Sequence, residues 1–121
     1  MSQAVETATK TFIAGAAIAA HRRVKLSSGK LAVAGLGLVD EPVEIGTIEQ
    51  ASFADGDAVS VRLRSATGTC KMVALDAISV GDLVYGTSNG RIRSSATSGD
   101  PLGIALEAAT ALDDVIEVLR R

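Results

Sequence analysis

The chain is poor in large aromatic side chains. Among 121 residues it has two phenylalanines, one tyrosine and no tryptophan. Aromatic rings normally supply much of a small core's buried area and dominate binding hot spots. Valine, isoleucine, leucine and alanine must therefore build the core. Because such a core is lean, we expect much of the stability to come from contacts between subunits.

Cysteine and histidine are equally scarce, with one of each. Cys70 has no partner for a disulfide within the chain, and one cysteine with one histidine gives no zinc-ligand cluster. The apolar run at residues 12–20 is too short to span a bilayer, and Glu6 ahead of it is unlike the basic leader of a signal peptide. We predict a soluble protein that is used without export and without membrane contact.

The charge balance excludes a strong field of either sign. Twelve basic and 14 acidic residues give a formal net charge of −2, whereas a polyanion partner needs a basic surface. The densest basic cluster, His21-Arg22-Arg23 with Lys25, lacks the interleaved aromatic residues on which bases stack. We expect this cluster to be solvated or to contact a protein, and we expect no direct nucleic-acid binding.

An internal repeat appears when the sequence is aligned with itself at an offset of about sixty residues. Segments match in the same order in both halves: residues 12–14 with 72–74, 17–18 with 77–78, 24 with 84, 28–31 with 89–92, 45–49 with 102–107, and 57–61 with 114–118. Two copies are too few for a solenoid. We predict one domain of two half-repeats, about residues 12–64 and 72–121, with the aliphatic core packed between them.

Each half is predicted to consist of short strands joined by turns. Residues 59–64 alternate apolar and polar side chains, as in a half-buried strand. Asn89-Gly90 predicts a hairpin because both residues tolerate positive φ, and Ser28-Gly29 has the same place in the first half. The fold class is therefore mainly β, a compact barrel-like or sandwich-like domain.

Helix is expected only as short turns. Alanine-rich pieces at residues 14–20 and 75–77 can each form one, although their isoleucines and glycines weaken the propensity. Residues 105–112 are ambiguous between helix and strand. The repeat favours strand there, because the counterpart in the first half is rich in β-branched residues.

The N-terminal residues 1–11 are polar and offer a core little to bury. They include Thr7, Thr9 and Thr11. We predict a flexible, extended arm that precedes a β domain over residues 12–121. In an assembly protein, such an arm can pair with the sheet edge of a neighbouring molecule.

No motif supports an enzyme. Residues 35–40 lack the third glycine and the following helix of a dinucleotide loop. The acidic pairs at residues 55–57 and 113–114 lack the spaced oxygen ligands of a calcium loop and are better explained as turns. Cys70 is expected to be an inert buried thiol. We predict no catalytic residue, no cofactor and no metal.

Several segments are typical of one family. They are AISVGDLVY at residues 77–85, NGRI at 89–92 and PLGIALEA at 101–108, with KTFIAG at 10–15 and RVKL at 23–26 in the first half. From about residue 10 to the C-terminus, the chain resembles the small capsid decoration, or cement, proteins of tailed bacteriophages.

The resemblance implies a structural protein of the virion, made in the host cytoplasm. It implies homotrimers on the outer surface of the mature head, at three-fold and quasi-three-fold positions, bound to the major capsid protein and bracing the shell against packaged DNA. The family has no catalytic residues. The alternatives are a non-viral β-barrel adaptor or ligand-binding module, which predicts a monomer with an apolar pocket, and a small enzyme.

Contacts with the shell or with other subunits are expected in three places: the arm, the basic cluster and the polar face of residues 59–64. The candidate residues are Thr7, Thr9, Thr11, His21, Arg22, Arg23, Arg62 and Arg64.

Overall fold

The computed structural model describes residues 8–35, 43–94 and 100–120, and these residues form two five-stranded antiparallel sheets. The strands of the first half are β1 (Thr9–Ile13), β2 (Arg23–Ser27), β3 (Lys30–Val33), β4 (Glu44–Ile48) and β5 (Ala58–Leu63). Those of the second half are β6 (Thr69–Val73), β7 (Leu83–Gly86), β8 (Ile92–Arg93), β9 (Gly103–Ala105) and β10 (Val115–Arg120). No α-helix occurs in these described ranges, and a 3-10 turn lies at Ser88–Gly90.

The two sheets have the same topology. Their strand orders are β1-β5-β4-β2-β3 and β6-β10-β9-β7-β8, so each strand of the second half takes the place of the strand five positions earlier. The isolated bridges repeat as well: Ala14 with Leu31 and Ile18 with Ser52 in the first half, Ala74 with Ile92 and Ile78 with Ala109 in the second. The predicted two-half β fold is confirmed.

Both predicted hairpins are present. Ser28 and Gly29 join β2 to β3 with φ of 53° and 79°, and Asn89 and Gly90 join β7 to β8 with φ of 59° and 72°. Two successive positive φ values are what a tight turn between twisted strands requires. Small or asparagine side chains at these positions therefore set the hairpin locally in each half.

The core is divided into two parts, which corrects the expectation of one core between the halves. The buried apolar residues group into two clusters, and each cluster contains residues of one half only. The first-half cluster is Ala14, Ile18, Val24, Leu31, Ile48, Val59 and Val61. The second-half cluster is Cys70, Met72, Ala74, Ile78, Val84, Ile92, Leu102, Ala105, Ala109, Ile116 and Val118.

Each sheet is covered on its inner face by its own chain. The segment that follows β1 crosses back over the sheet, where Ala14 bridges Leu31 and Ile18 bridges Ser52, and both Ala14 and Ile18 are buried. None of the three aromatic rings is fully buried, and Phe12 only packs partly against the core. Small aliphatic side chains thus fill both core clusters without a fully buried ring.

Three local predictions differ from the structure. Residues 14–20 and 75–77 form bends and single bridges instead of helical turns, because the amide of Ile18 bonds the carbonyl of Ser52 across the sheet. In residues 105–112, only Ala105 belongs to a strand, although helix is absent there as predicted.

The boundary between arm and domain also moves. Strand β1 begins at Thr9 and pairs along its length with β5, from Thr9 opposite Arg62 to Ile13 opposite Ala58. Thr9 and Thr11 therefore belong to a sheet, in keeping with the strand preference of β-branched side chains. Residues 1–7, including Thr7, lie outside the described part of the chain.

Gly103 sits where β9 and β10 approach closely. A Cβ atom at this position would lie 2.2 Å from the Leu119 carbonyl oxygen, and one at the equivalent Gly46 would lie 2.0 Å from the Arg62 carbonyl oxygen. We expect Gly103→Ala to lower the free energy of unfolding by about 2–3 kcal/mol because the strands must separate. Urea unfolding measures this. Gly29→Ala, where no atom lies within 4 Å, should cost only about 1 kcal/mol; equal losses would contradict the steric argument.

Candidate functional site

The two halves meet along a polar seam, which we define by Arg22, Arg23 and Arg120 with their partners in the other half. Arg23 projects from β2 and is fully buried. Its Nη2 donates to the carbonyl oxygens of Gly35 and Thr87, each at 2.7 Å, and its Nε donates to the Arg91 carbonyl at 3.3 Å. Thr87 and Arg91 flank the β7–β8 turn, so one guanidinium fastens the first half to a hairpin of the second.

Two glycines make room for this contact. A Cβ atom at Gly86 would lie 2.7 Å from Nη1 of Arg23, and one at Gly90 would lie 2.8 Å from the Cβ of Arg22. The Gly90 amide also donates to the Ala34 carbonyl at 2.8 Å. The hairpin therefore approaches the first half through backbone, which larger side chains would prevent.

Arg22 forms the outer part of the seam. Its Nη1 donates to the Asn89 carbonyl at 2.7 Å, and its Nη2 lies 3.2 Å from Oδ1 of Asp113. The same carboxylate oxygen accepts a 2.7 Å hydrogen bond from Nε of Arg91. The hydrogen bond from Arg91, together with the charges of Arg91 and Arg22, lowers the pKa of Asp113 below its ordinary value.

The lowered pKa of Asp113 predicts a pH-dependent contribution to stability. A carboxyl group with a depressed folded-state pKa stabilises the fold fully above its unfolded-state pKa, near 3.9, and loses that contribution as the pH falls through the folded-state value. We expect Asp113→Asn to lower the urea midpoint at pH 7 and to lower it by less at pH 2.5. Asparagine tolerates the φ of 69° at this position. A constant difference at both pH values would contradict this assignment.

A buried ion pair closes the seam at its other end. Nη2 of Arg120, from β10, lies 2.9 Å and 3.1 Å from the two carboxylate oxygens of Glu44, from β4. The Glu44 side chain is fully buried and that of Arg120 is 8% exposed. Both charges thus depend on each other for compensation.

An open cleft of about 580 Å³ lies between the sheets beside the seam. Most of its lining is polar or charged: His21, Thr47, Glu49, Arg62, Thr69, Cys70, Lys71, Glu107 and Glu117. Thr69 donates to the Glu117 carboxylate at 2.6 Å, and the Glu117 amide donates to Glu107 at 2.8 Å. The carboxylates of Glu107 and Glu117 are thus already hydrogen-bonded on its walls.

The cleft has little reactive chemistry. Burial raises the pKa of the Cys70 thiol, which disfavours the nucleophilic thiolate. Burial and the nearby Lys71 lower the pKa of His21, and Glu49 opposes them. Across residues 8–35, 43–94 and 100–120, no group of three or more potential ligand side chains is placed to hold a metal ion. The same described ranges contain no helix with the length and apolar character needed to cross a membrane.

The predicted contact residues do not form one surface. Arg22 and Arg23 are buried in the seam, which corrects the expectation that they face solvent or a partner. Their guanidinium groups are engaged by carbonyls of the other half. His21 and Arg62 line the cleft, whereas Arg64 is exposed just beyond the end of β5.

A row of exposed apolar side chains was not predicted from the sequence. On the outer face of the second sheet, Leu83, Ile104 and Leu119 lie in register across β7, β9 and β10. Leu83 is 42% exposed and Leu119 is 43% exposed. We call these three residues the apolar row. Its sequence signal was present in the repeat, where Leu83 aligns with Arg23.

A second apolar surface lies on the first half. Leu26, Val43, Ile45 and Leu63 line a shallow groove together with Glu44, Arg64 and Ser65. We call the four apolar residues the groove. Leu26 is 46% exposed and Val43 is 53% exposed.

These features define the class of protein: a duplicated all-β module whose halves are fastened by buried arginines. A family model described as phage cement protein matches residues 2–120, and the chain belongs to that family. It is a structural protein that associates with the phage capsid. Its fold is similar to that of the N base of head fiber gp8.5 in bacteriophage phi29, with a TM-score of 0.71 and 18% identity over 93% of this chain and 92% of that chain. No curated protein matches the chain.

Proposed function

We propose that this protein decorates the outer surface of the mature head as homotrimers at three-fold and quasi-three-fold positions. There it binds the major capsid protein and stabilises the shell against the pressure of packaged DNA. Membership of the phage cement family over residues 2–120 is the observation that carries the proposal. The exposed apolar row and groove support it, because contiguous apolar surface marks sites of protein contact.

Stabilisation follows from the number of contacts each assembly makes. A trimer that touches several capsid subunits links them. Separating two neighbouring capsid subunits therefore also breaks contacts with the decoration protein. Once the first subunit of a trimer is bound, the others are held at high effective concentration. Modest individual contacts can therefore give tight attachment.

We propose one shell contact along β1. This strand is at the edge of the first sheet, and Thr11 and Lys10 are exposed on it. An edge strand can accept an added strand through backbone hydrogen bonds. In this proposal, Thr9 and Thr11 lie at that edge, Thr7 precedes it, and the cleft residues His21 and Arg62 are a second shell contact.

The test adds purified protein to expanded, undecorated heads of the cognate phage. We expect co-sedimentation that saturates, and a higher temperature for DNA release than in bare heads. Unexpanded proheads, which lack the mature lattice, serve as the control and should bind little. No co-sedimentation with expanded heads, or saturating binding without a gain in heat resistance, would refute the proposal.

The ligand-binding alternative has less support. It requires an enclosed apolar pocket, whereas the cleft is open and its wall is largely charged, including Glu49, Arg62 and Lys71. Ligand pockets are usually concave and mostly apolar.

A further inference from the structure

The seam and the apolar row occupy the same place in the two repeats. In the first half, Arg23 pairs with Thr47 on the neighbouring strand, and Thr47 pairs with Arg62 on the next. In the second half, the same strands carry the apolar row in the same register. One outer face is therefore polar and the other apolar at matching positions.

The seam is not reciprocal. The first half contributes its outer face through Arg23, and the second half contributes its β7–β8 hairpin. A two-fold relation would also bring Leu83 onto the β2–β3 hairpin of the first half, yet Leu83 is 42% exposed. The halves are therefore joined head to tail. Two surfaces therefore lack the contact that their counterparts make in the seam. They are the outer face of the second half and the β2–β3 hairpin of the first half.

Those two remaining surfaces match each other in chemistry. Arg23 of the seam lies on Gly86, and the residues at the equivalent positions are Leu83 and Leu26. The strand register gives this equivalence, because Leu26 pairs with Leu31 in the first half as Gly86 pairs with Ile92 in the second. Leu26 is therefore the counterpart of Gly86. A long charged side chain over a glycine is thus replaced by two half-exposed leucines.

The ion pair of the seam is replaced in the same way. Leu63 is opposite Gly46 as Arg120 is opposite Gly103, so Leu63 is the counterpart of Arg120. Glu44 lies two residues before Gly46, and Pro101 lies two residues before Gly103. The buried pair Glu44–Arg120 therefore corresponds to Pro101 and Leu63, which are both apolar.

The charges at the rim are complementary as well. Arg22 meets Asp113, which is also bound by Arg91. The counterpart of Arg22 is Asp82, and the counterpart of Arg91 is Lys30, which is exposed and held by Asp55 at 2.8 Å. An acidic residue would thus face a basic one.

We infer that the apolar row of one copy packs into the groove of a second copy, head to tail. The two contacting halves then have the same relative arrangement as the two halves of one chain. The inference rests on the homotrimer of the proposed function and names its contact surface. Repeating the contact in three copies would place six similar halves in a ring. Because a head-to-tail contact uses two different patches, each copy has one of each and the ring can close.

The test exchanges charges across the proposed contact. Leu83→Lys and Leu26→Asp change half-exposed positions, so each variant should keep its circular dichroism spectrum and urea midpoint. Each should raise the dissociation constant of self-association, measured by analytical ultracentrifugation, at least about 100-fold, because a charge is placed in an apolar contact. The double variant L26D/L83K forms a lysine–aspartate pair in every contact and should recover most of the association.

Phe53→Lys is the matched control, because Phe53 is the most exposed large apolar residue among those the structure describes, at 84%, and lies outside both surfaces. It should associate like the parent protein. A parent chain that stays monomeric at 100-fold the concentration used for head binding, single variants that associate normally, or a double variant no better than the singles would overturn the inference. Co-sedimentation with heads is measured separately, so loss of this contact and loss of the capsid role are distinguished.

Discussion

Replacing Glu44 by alanine is expected to lower the free energy of unfolding by about 3–5 kcal/mol, because it leaves the buried Arg120 charge without compensation. Glu44 is the only acidic group that hydrogen-bonds Arg120 among the described residues. The Nε and Nη1 atoms of Arg120 are already buried without hydrogen-bond partners. The loss is measured by urea unfolding at neutral pH.

A double variant separates the missing charge partner from the missing packing. Glu44→Met together with Arg120→Met should recover most of the stability, since apolar residues of similar volume can replace a buried ion pair at little cost. Glu49→Ala is the matched single control. Glu49 is exposed and accepts one hydrogen bond from Ser60 at 2.9 Å, so its removal should cost less than about 1 kcal/mol. A loss for Glu44→Ala as small as that of the control would count against the ion pair.

Arg23→Ala is the second substitution with a large expected effect, again about 3–5 kcal/mol. It removes the hydrogen bonds that Arg23 donates to the carbonyl oxygens of Thr87, Gly35 and Arg91. Each buried polar group left without a hydrogen bond costs about 1–3 kcal/mol. It also opens a cavity where Gly86 permits close approach. Chemical denaturation with probes in each half should show them separating at lower urea than in the parent protein.

Arg23→Lys tests the geometry of the guanidinium. A lysine ammonium keeps the charge but lacks the planar fork that reaches several carbonyls at once, so an intermediate loss is expected. Arg64→Ala provides a surface comparison, because Arg64 is exposed and donates to the Glu44 carbonyl at 3.1 Å; a loss below about 1 kcal/mol is expected. If Arg23→Lys equalled the parent protein, the seam would depend on charge alone.

The repeat could be predicted from the sequence because both halves need the same local features. Val24 and Val84 are buried at equivalent strand positions, and each hairpin needs two residues that accept positive φ. Such requirements act within a few residues and leave a pattern at a fixed offset. The start of β1 at Thr9 was missed, since a polar edge strand with alternating threonines resembles an arm.

The roles of Arg22 and Arg23 could not be predicted. Arginine is usually exposed, and a run of three basic residues normally indicates a solvated face. The sequence repeat aligns Arg23 with Leu83, so the difference between the two residues could be seen. Which of the two is buried, however, depends on which outer face the other half covers. That is decided by contacts between residues 64 to 91 positions apart in the chain.

The sequence alone determined the β class, the duplication, the two hairpins and the resemblance to cement proteins. The tertiary structure decided that each half closes its own core and that arginines and one buried ion pair join the halves. Side-chain periodicity determines which residues share a face of a strand, and this is a local property. What covers that face depends on how complete halves dock, and here the docking buries a polar face while it leaves the apolar row exposed.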